Sequence, residues 1–435
     1  MKKSTYFLFA VVVILLCFIF LFEKKQKTTK EIESSKTKIF IDFLEDVETI
    51  ERKGFEDLKI EKEGENYFLT FPFKDSADEG AVKGFIEALK GAVAERIIKE
   101  NIELKKLGLD NPQITVAFKS KDKTKTIKIG NSPPLEKGVY FQTDDKIGVL
   151  SDFTLDTIKR SVNDFKSKEL CAPLKYENVK KISYYKGNDL VFEFEKINGK
   201  WYLSHPFKDL ADERKATFYI EDVILWPIMN FEDDSVSEEK ANLVNPNEKY
   251  EVETNDGNKI LIKIGALKDE EKKFYYASVS TRKGIFAVSK NSVRNIDKEA
   301  EDFRALAIFS SDINKYESLI LSGAEKIVFK NVREKGWIEE KERVKEDQIK
   351  TFLFAIENFE GEKKVEKIEN LPLFIEISLI KEGDKEEVFF YEDKENLVAE
   401  IKSRKIFVSL SKEDSERMKG AVKTIFSQFK ENVSH

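Results

Sequence analysis

Histidine, cysteine, methionine and tryptophan are nearly missing from this 435-residue chain, at two, two, three and three copies. His205 is the only histidine ahead of the terminal His435, so a Ser-His-Asp triad or a His-rich metal centre would have to be built around it alone. Cys17 sits in an apolar N-terminal run and Cys171 far beyond it, which excludes a disulfide framework. Large domains fold without one, so scarce cysteine leaves the compartment open. A Gly-rich phosphate loop closed by Gly-Lys-Ser/Thr and a Gly-x-Ser-x-Gly elbow are also lacking. The net charge of −6 is spread over alternating Lys and Glu, without the basic stripe that neutralises phosphates, so no nucleic-acid partner is expected.

What is present is repetition. Pro72-Phe73-Lys74-Asp75-Ser76-Ala77-Asp78 returns 134 residues later as Pro206-Phe207-Lys208-Asp209-Leu210-Ala211-Asp212. Leu107-Gly108-Leu109-Asp110-Asn111-Pro112 faces Ala241-Asn242-Leu243-Val244-Asn245-Pro246 at the same offset, and Ile127-Lys128-Ile129-Gly130 faces Ile262-Lys263-Ile264-Gly265 one residue later. So long a period is that of a folded domain, not of a solenoid repeat. With 41% apolar and 36% charged residues and 35 Phe, each copy can bury its own core under a charged surface.

Behind a short basic N-terminus, residues 1–5, Tyr6 to Phe22 is an unbroken apolar run, closed by Glu23, Lys24, Lys25 and Lys27. Seventeen helical residues span roughly 25 Å, and the flanking lysines can snorkel to the interface, so residues 6–22 are expected to be a membrane anchor. A cleaved signal peptide is the rival. It needs small residues before the cut, and Leu15-Leu16-Cys17-Phe18 offers none; the same bulk at Leu16 disfavours lipidation of Cys17. Lysines flank both ends and barely decide orientation; a short basic start followed at once by an apolar run places the bulk of the chain on the extracytoplasmic side. Residues 23–45 read as a charged stalk.

The unit is clearest over 178–309. Ile182 to Tyr185 and Leu190 to Phe194 alternate around Gly187-Asn188-Asp189 as a hairpin, and Asn198-Gly199 turns the chain into Trp201-Tyr202-Leu203. Asp209 is expected to cap a helix running to Pro227, with Asp212 favourably placed against the dipole. Tyr250 to Thr254, Ile260 to Ile264, Phe274 to Ser280 and Gly284 to Val288 read as further strands, the last two joined across Thr281-Arg282-Lys283. A charged helix from Asn291 to about Ala305 is expected to end the unit, where Glu301-Asp302-Phe303-Arg304 mirrors Asn163-Asp164-Phe165-Lys166. A divergent third copy over 312–430 has lost the Pro-Phe-Lys-Asp signature but keeps Gly336-Trp337-Ile338, a helix from Glu346 to Phe359, Asn370-Leu371-Pro372, Arg404-Lys405 between two strands, and a last helix through Ile425 and Phe429. The predicted class is α+β: an N-terminal transmembrane helix, then three tandem modules at 46–170, 178–309 and 312–430, each an antiparallel sheet with one or two packed helices.

At Leu107-Gly108-Leu109-Asp110-Asn111-Pro112, Ile127-Lys128-Ile129-Gly130-Asn131-Ser132-Pro133 and Tyr140, the first copy resembles the uncharacterised bacterial DUF4340 domain family, as do Ala77-Asp78 and Asp164-Phe165-Lys166. The resemblance covers about 46–170 best, then 178–309, and the rest in pattern only. It implies an N-terminal anchor bearing such domains outside the membrane, beside ABC-type permeases and gliding-type auxiliary subunits. It implies no catalytic residue.

Each candidate site competes with a plainer role. Gly108, Asp110 and Pro112 are what a helix end and a strand start require. Asp75 with Asp78, and Asp209 with Asp212, are paired carboxylates suited to acid–base work, yet both pairs open helices at i, i+3, and capping accounts for them. His205 is matched by Phe71 in the first copy. Glu232-Asp233-Asp234 with Glu238-Glu239 lacks the spacing of a calcium loop, so a solvated loop is expected. Trp201, Trp337 and Tyr67 suit a stacking platform but read better as core. No cofactor, metal or catalytic residue is expected, and Asp75, Asp78, His205, Asp209 and Asp212 remain the surface candidates. The expected function is a non-catalytic, membrane-anchored accessory or binding protein of an ABC-type transporter or other envelope complex. The alternatives are an envelope hydrolase using carboxylates such as Asp209 and Asp212, and a surface spacer or adhesion protein.

Overall fold

The computed structural model describes residues 37–431 except 101, 122, 145, 234, 270–272, 296–297, 310–314, 333–335, 341–343, 357–358, 367 and 369. The expected anchor at 6–22, the five residues before it and 23–36 of the expected stalk lie outside the described residues. Among the described residues no helix is long and apolar enough to cross a membrane. The chain is mostly antiparallel sheet with few helices, α+β in class, and it divides into two compact units. One comprises residues up to Lys175 with Ile224–Asn245 and Ile262–Lys290. The other comprises Tyr176–Val223, Pro246–Leu261 and the chain from Asn291 onward.

The first unit contains a nine-stranded sheet with the spatial order Asp75–Ser76, Asn66–Phe71, Leu58–Glu63, Thr49–Lys53, Ile114–Ser120, Lys123–Ile129, Val139–Gln142, Ile147–Leu150, Arg96–Ile97. Four strands meander outward, a helix at Glu79–Lys90 crosses the face, and a short strand takes the far edge. The chain then returns to the centre at Ile114 and meanders back to that edge. The second nine-stranded sheet repeats this order. Its opening half, Asp209–Leu210, Lys200–His205, Asp189–Ile197, Val179–Lys186 and Glu248–Thr254, belongs to the second unit. Its closing half, Lys259–Asp269 from Ile262 onward, Phe274–Val279, Phe286–Ser289 and Ile228–Phe231, belongs to the first. An eight-stranded sheet in the second unit follows the same order again: Gly336–Glu339, Lys326–Val332, Ser318–Ser322, Leu373–Lys381, Asp384–Asp393, Asn396–Ile401, Ile406–Ser409, Lys363–Val365. Among the described residues it shows no counterpart of the two-residue edge strand that carries the signature aspartate in the other two.

Period-two alternation produces the strands: Leu58, Ile60, Tyr67 and Leu69 point inward while their neighbours face water. Period 3.6 produces the helices: Val82, Phe85, Ile86 and Leu89 form the buried stripe of Glu79–Lys90. Those stripes complete one core with Ile50, Phe118 and Phe165, where the Phe85 ring meets Phe165 edge-on at 5.2 Å. In the third sheet Ile349, Phe352 and Ile356 of the helix Glu346–Ile356 join Met418 and Ile425 of Lys412–Glu431 over Ile377 and Phe390.

Two expectations are corrected. The end of the stalk is folded: Thr37–Lys38 pairs with Val93–Ala94, and Ile39, Phe40 and Leu44 are buried, because apolar side chains there fill the core edge. The charged helix expected from Asn291 to about Ala305 is two pieces, Lys290–Asn295 and a 3-10 turn at Ala300–Phe303. The Asp302 carboxylate accepts the Glu299 amide and starts a new turn, as Asp164 does with Ser161 in the first copy.

Candidate functional site

The paired signature carboxylates do different work. Asp78 is the N-cap of Glu79–Lys90, accepting the Ala81 amide at 2.8 Å, and Asp212 accepts the Lys215 amide at 3.0 Å. Asp75 and Asp209 cap nothing and are not on the surface. Each lies in a two-residue edge strand, 6% exposed, and this corrects the reading of Asp209 as a cap. The physical reason is charge: a buried carboxylate needs a buried cation, and Asp75 has one while Asp209 has two.

Arg282, on the hairpin turn between Phe274–Val279 and Phe286–Ser289, forks onto Asp75 with Nε to Oδ1 at 2.6 Å and Nη2 to Oδ2 at 3.1 Å. Two further N–H groups donate to backbone carbonyls, Nη1 to Glu169 at 2.6 Å and Nη2 to Ser167 at 3.0 Å. Arg404, on the matching turn of the third sheet, repeats every contact on Asp209. Its Nε donates to Oδ1 and its Nη2 reaches Oδ2 at 3.4 Å, while Nη1 donates to the Ala307 carbonyl at 2.6 Å and Nη2 to that of Ala305. The carbonyls correspond, one and three residues past Lys166 and past Arg304. Each Asp also accepts the next backbone amide, Ser76 at 2.9 Å and Leu210 at 2.8 Å.

The residue behind each pair differs in kind. Arg304 donates Nε to Asp209 Oδ2 and Nη2 to the Arg404 carbonyl, lies 4.5 Å over the Phe207 ring, and meets Glu301, which in turn pairs with Lys364. Its counterpart Lys166 sits between the rings of Phe73 at 4.4 Å and Phe231 at 4.7 Å, and burial pushes its ammonium below the usual lysine range. The Phe and Asp of Pro-Phe-Lys-Asp are therefore one device: the ring holds the local cation and the carboxylate receives the incoming arginine.

A second pair of repeated motifs packs together. Gly108 ends the turn Leu104–Leu107 at φ 71°, and the Asn131 amide donates to the Leu107 carbonyl. A Cβ on Gly130 would lie 2.2 Å from that carbonyl, and one on Gly265 2.0 Å from the Ala241 carbonyl, so Ile-Lys-Ile-Gly needs glycine for close approach in both copies.

The remaining candidates are accounted for locally. His205 is half-buried at the end of Lys200–His205, and Phe71 ends the corresponding strand of the first copy. Trp201, Trp337 and Tyr67 are core, Trp201 donating to the Tyr176 hydroxyl at 2.7 Å and Tyr67 to the Val47 carbonyl at 3.1 Å. Glu232 pairs with Lys268, and Asp233 accepts the Ser235 amide. Among the described residues no group of His, Cys, Asp and Glu is arranged to hold a metal ion. Burial pushes the Cys171 thiol up to about 12, so it is inert rather than nucleophilic. A shallow cavity of about 580 Å³ lies beside Lys215, Phe218, Asp222 and Lys298, where burial raises the Asp222 carboxyl.

Sequence reasoning found both aspartates and missed all three arginines. Arg282 and Arg404 were visible only as polar turn residues. The signal available was an arginine in the same hairpin turn of the second and third copies, a place where Gly or Asn is the usual choice.

A family model described as Domain of unknown function (DUF4340) matches residues 68–246 and 230–370. Both stretches cross sheet borders, the first beginning inside Asn66–Phe71 and ending ahead of Glu248–Thr254. Comparisons with curated proteins and with solved structures return no match.

Proposed function

The chain belongs to the DUF4340 family, and from that premise we propose that it is a non-catalytic accessory or binding protein, anchored by residues 6–22 with its sheets on the extracytoplasmic side of the membrane. Its place is beside an ABC-type permease or an auxiliary subunit of one. The observation that carries this reading is the use made of the repeated carboxylates. Asp75 and Asp209 are held in buried ion pairs, and Asp78 and Asp212 in helix caps, so the residues shared by the copies build and join sheets. A uniform apolar run ended by Glu23, Lys24 and Lys25 supports the anchor.

The hydrolase alternative asks Asp209 to reach a substrate, whereas its carboxylate is buried and two guanidiniums occupy its oxygens. The test of the accessory role is affinity capture of the full chain from membranes in mild detergent. Recovery of permease or auxiliary subunits is expected, and their complete absence alongside efficient bait recovery overturns the reading. Protease treatment of intact cells reads the orientation: digestion of the sheets is expected, and full protection with digestion only after lysis places them inside.

A further inference from the structure

In all three copies the incoming strand docks in the same way. The amides of Ile39, Leu170 and Ile308 donate to the carbonyls of Ala92, Trp226 and Phe359 at 3.0, 2.9 and 3.0 Å. In all three, the turn of the closing hairpin also grips that strand by its carbonyls. In the second copy Arg282 takes Ser167 and Glu169, and in the third Arg404 takes Ala305 and Ala307. In the first, Lys146 Nζ takes Lys38 at 2.5 Å and Thr143 Oγ1 takes Ile39 at 3.1 Å. Of the three grips, those of the second and third copies use arginine, and both reach the signature carboxylate of the copy before. The turn after Gln142 reads Thr143-Asp144-Asp145-Lys146, with no arginine, and the chain from Gly336 to Glu346 carries no aspartate.

We propose that the aspartate of Pro-Phe-Lys-Asp is a socket for one partner, the hairpin arginine of the following copy, and that the pair specifies which sheet docks after which. The chemistry selects arginine. Two N–H groups fork onto the carboxylate while others satisfy two carbonyls of the connecting strand, which a lysine ammonium cannot span. The turn of the first copy lacks the plug, and the third copy lacks the socket.

The test uses the full-length chain and follows amide exchange at the two docking strands. Arg282→Ala is expected to speed exchange at Leu170 and Ile228 by about tenfold or more while Ile308 and Gly361 stay within about threefold, and Arg404→Ala to do the reverse. Adding Asp75→Asn to Arg282→Ala is expected to change Leu170 by less than about threefold further, whereas Asp75→Asn with Arg404→Ala should show both single effects in full. Arg282→Lys keeps the charge without the fork and should loosen the Leu170 strand alone, and it carries the test if the alanine variant does not fold. Loosening of both strands by either arginine variant, or multiplying effects of Asp75→Asn and Arg282→Ala at Leu170, overturns the proposal.

Discussion

Single residues here are assigned by burial more than by type. Asp75 and Asp78 are three positions apart and chemically identical, yet one is sealed against Arg282 and the other caps a helix in partial contact with water. The capping role was legible from spacing, because a helix start is a local event. The ion pairs were not, because Asp75 and Arg282 stand 207 residues apart and Asp209 and Arg404 stand 195 apart, and each residue has an adequate local explanation without the other. Cys171 illustrates the same control. With Cys17 replaced by Ser, the native chain should resist iodoacetamide at pH 8, since a thiol pushed up to about 12 has almost no thiolate there, and should label fully in urea. Fast labelling of the folded chain would contradict the burial.

Elements were legible wherever a pattern was local. The hairpin around Gly187-Asn188-Asp189, the turn at Asn198-Gly199 and the helix Glu346–Ile356 lie where periodicity and turn chemistry placed them. The helix after Asn291 was over-extended because its charged sequence has no proline or glycine to stop it, and the restart at Glu299 depends on Phe303 entering a cluster with Phe194 and Tyr219. Glycines divide by environment in a measurable way. Gly130→Ala and Gly265→Ala each force a methyl onto a backbone carbonyl and should cost about 1–3 kcal/mol in urea unfolding. Gly84→Ala, in the middle of Glu79–Lys90 with open space around it, should instead stabilise by about 0.5–1 kcal/mol. Equal effects at the three positions would show that close approach is not what Ile-Lys-Ile-Gly encodes.

For the whole molecule, the repeated signature announced like sheets, and the same strand order recurs in all three. What periodicity could not convey is how sheets are joined, since joining depends on residues that differ between copies: Arg304 against Lys166, and Arg404 and Arg282 against a first-copy turn with neither. Burying charge is costly, and a forked ion pair selects its partner as apolar side chains do not, which fits the proposed choice of one sheet for the next. Removing one member should then be far worse than removing a cap. The decisive comparison is urea unfolding of Asp209→Ala beside Asp212→Ala, read by probes in the third sheet. Asp209→Ala should lose about 3–5 kcal/mol by stranding Arg304 and Arg404, and Asp212→Ala about 1 kcal/mol. Matching losses, or a near-neutral Asp209→Ala, would contradict the role of the signature aspartate as the anchor of the array.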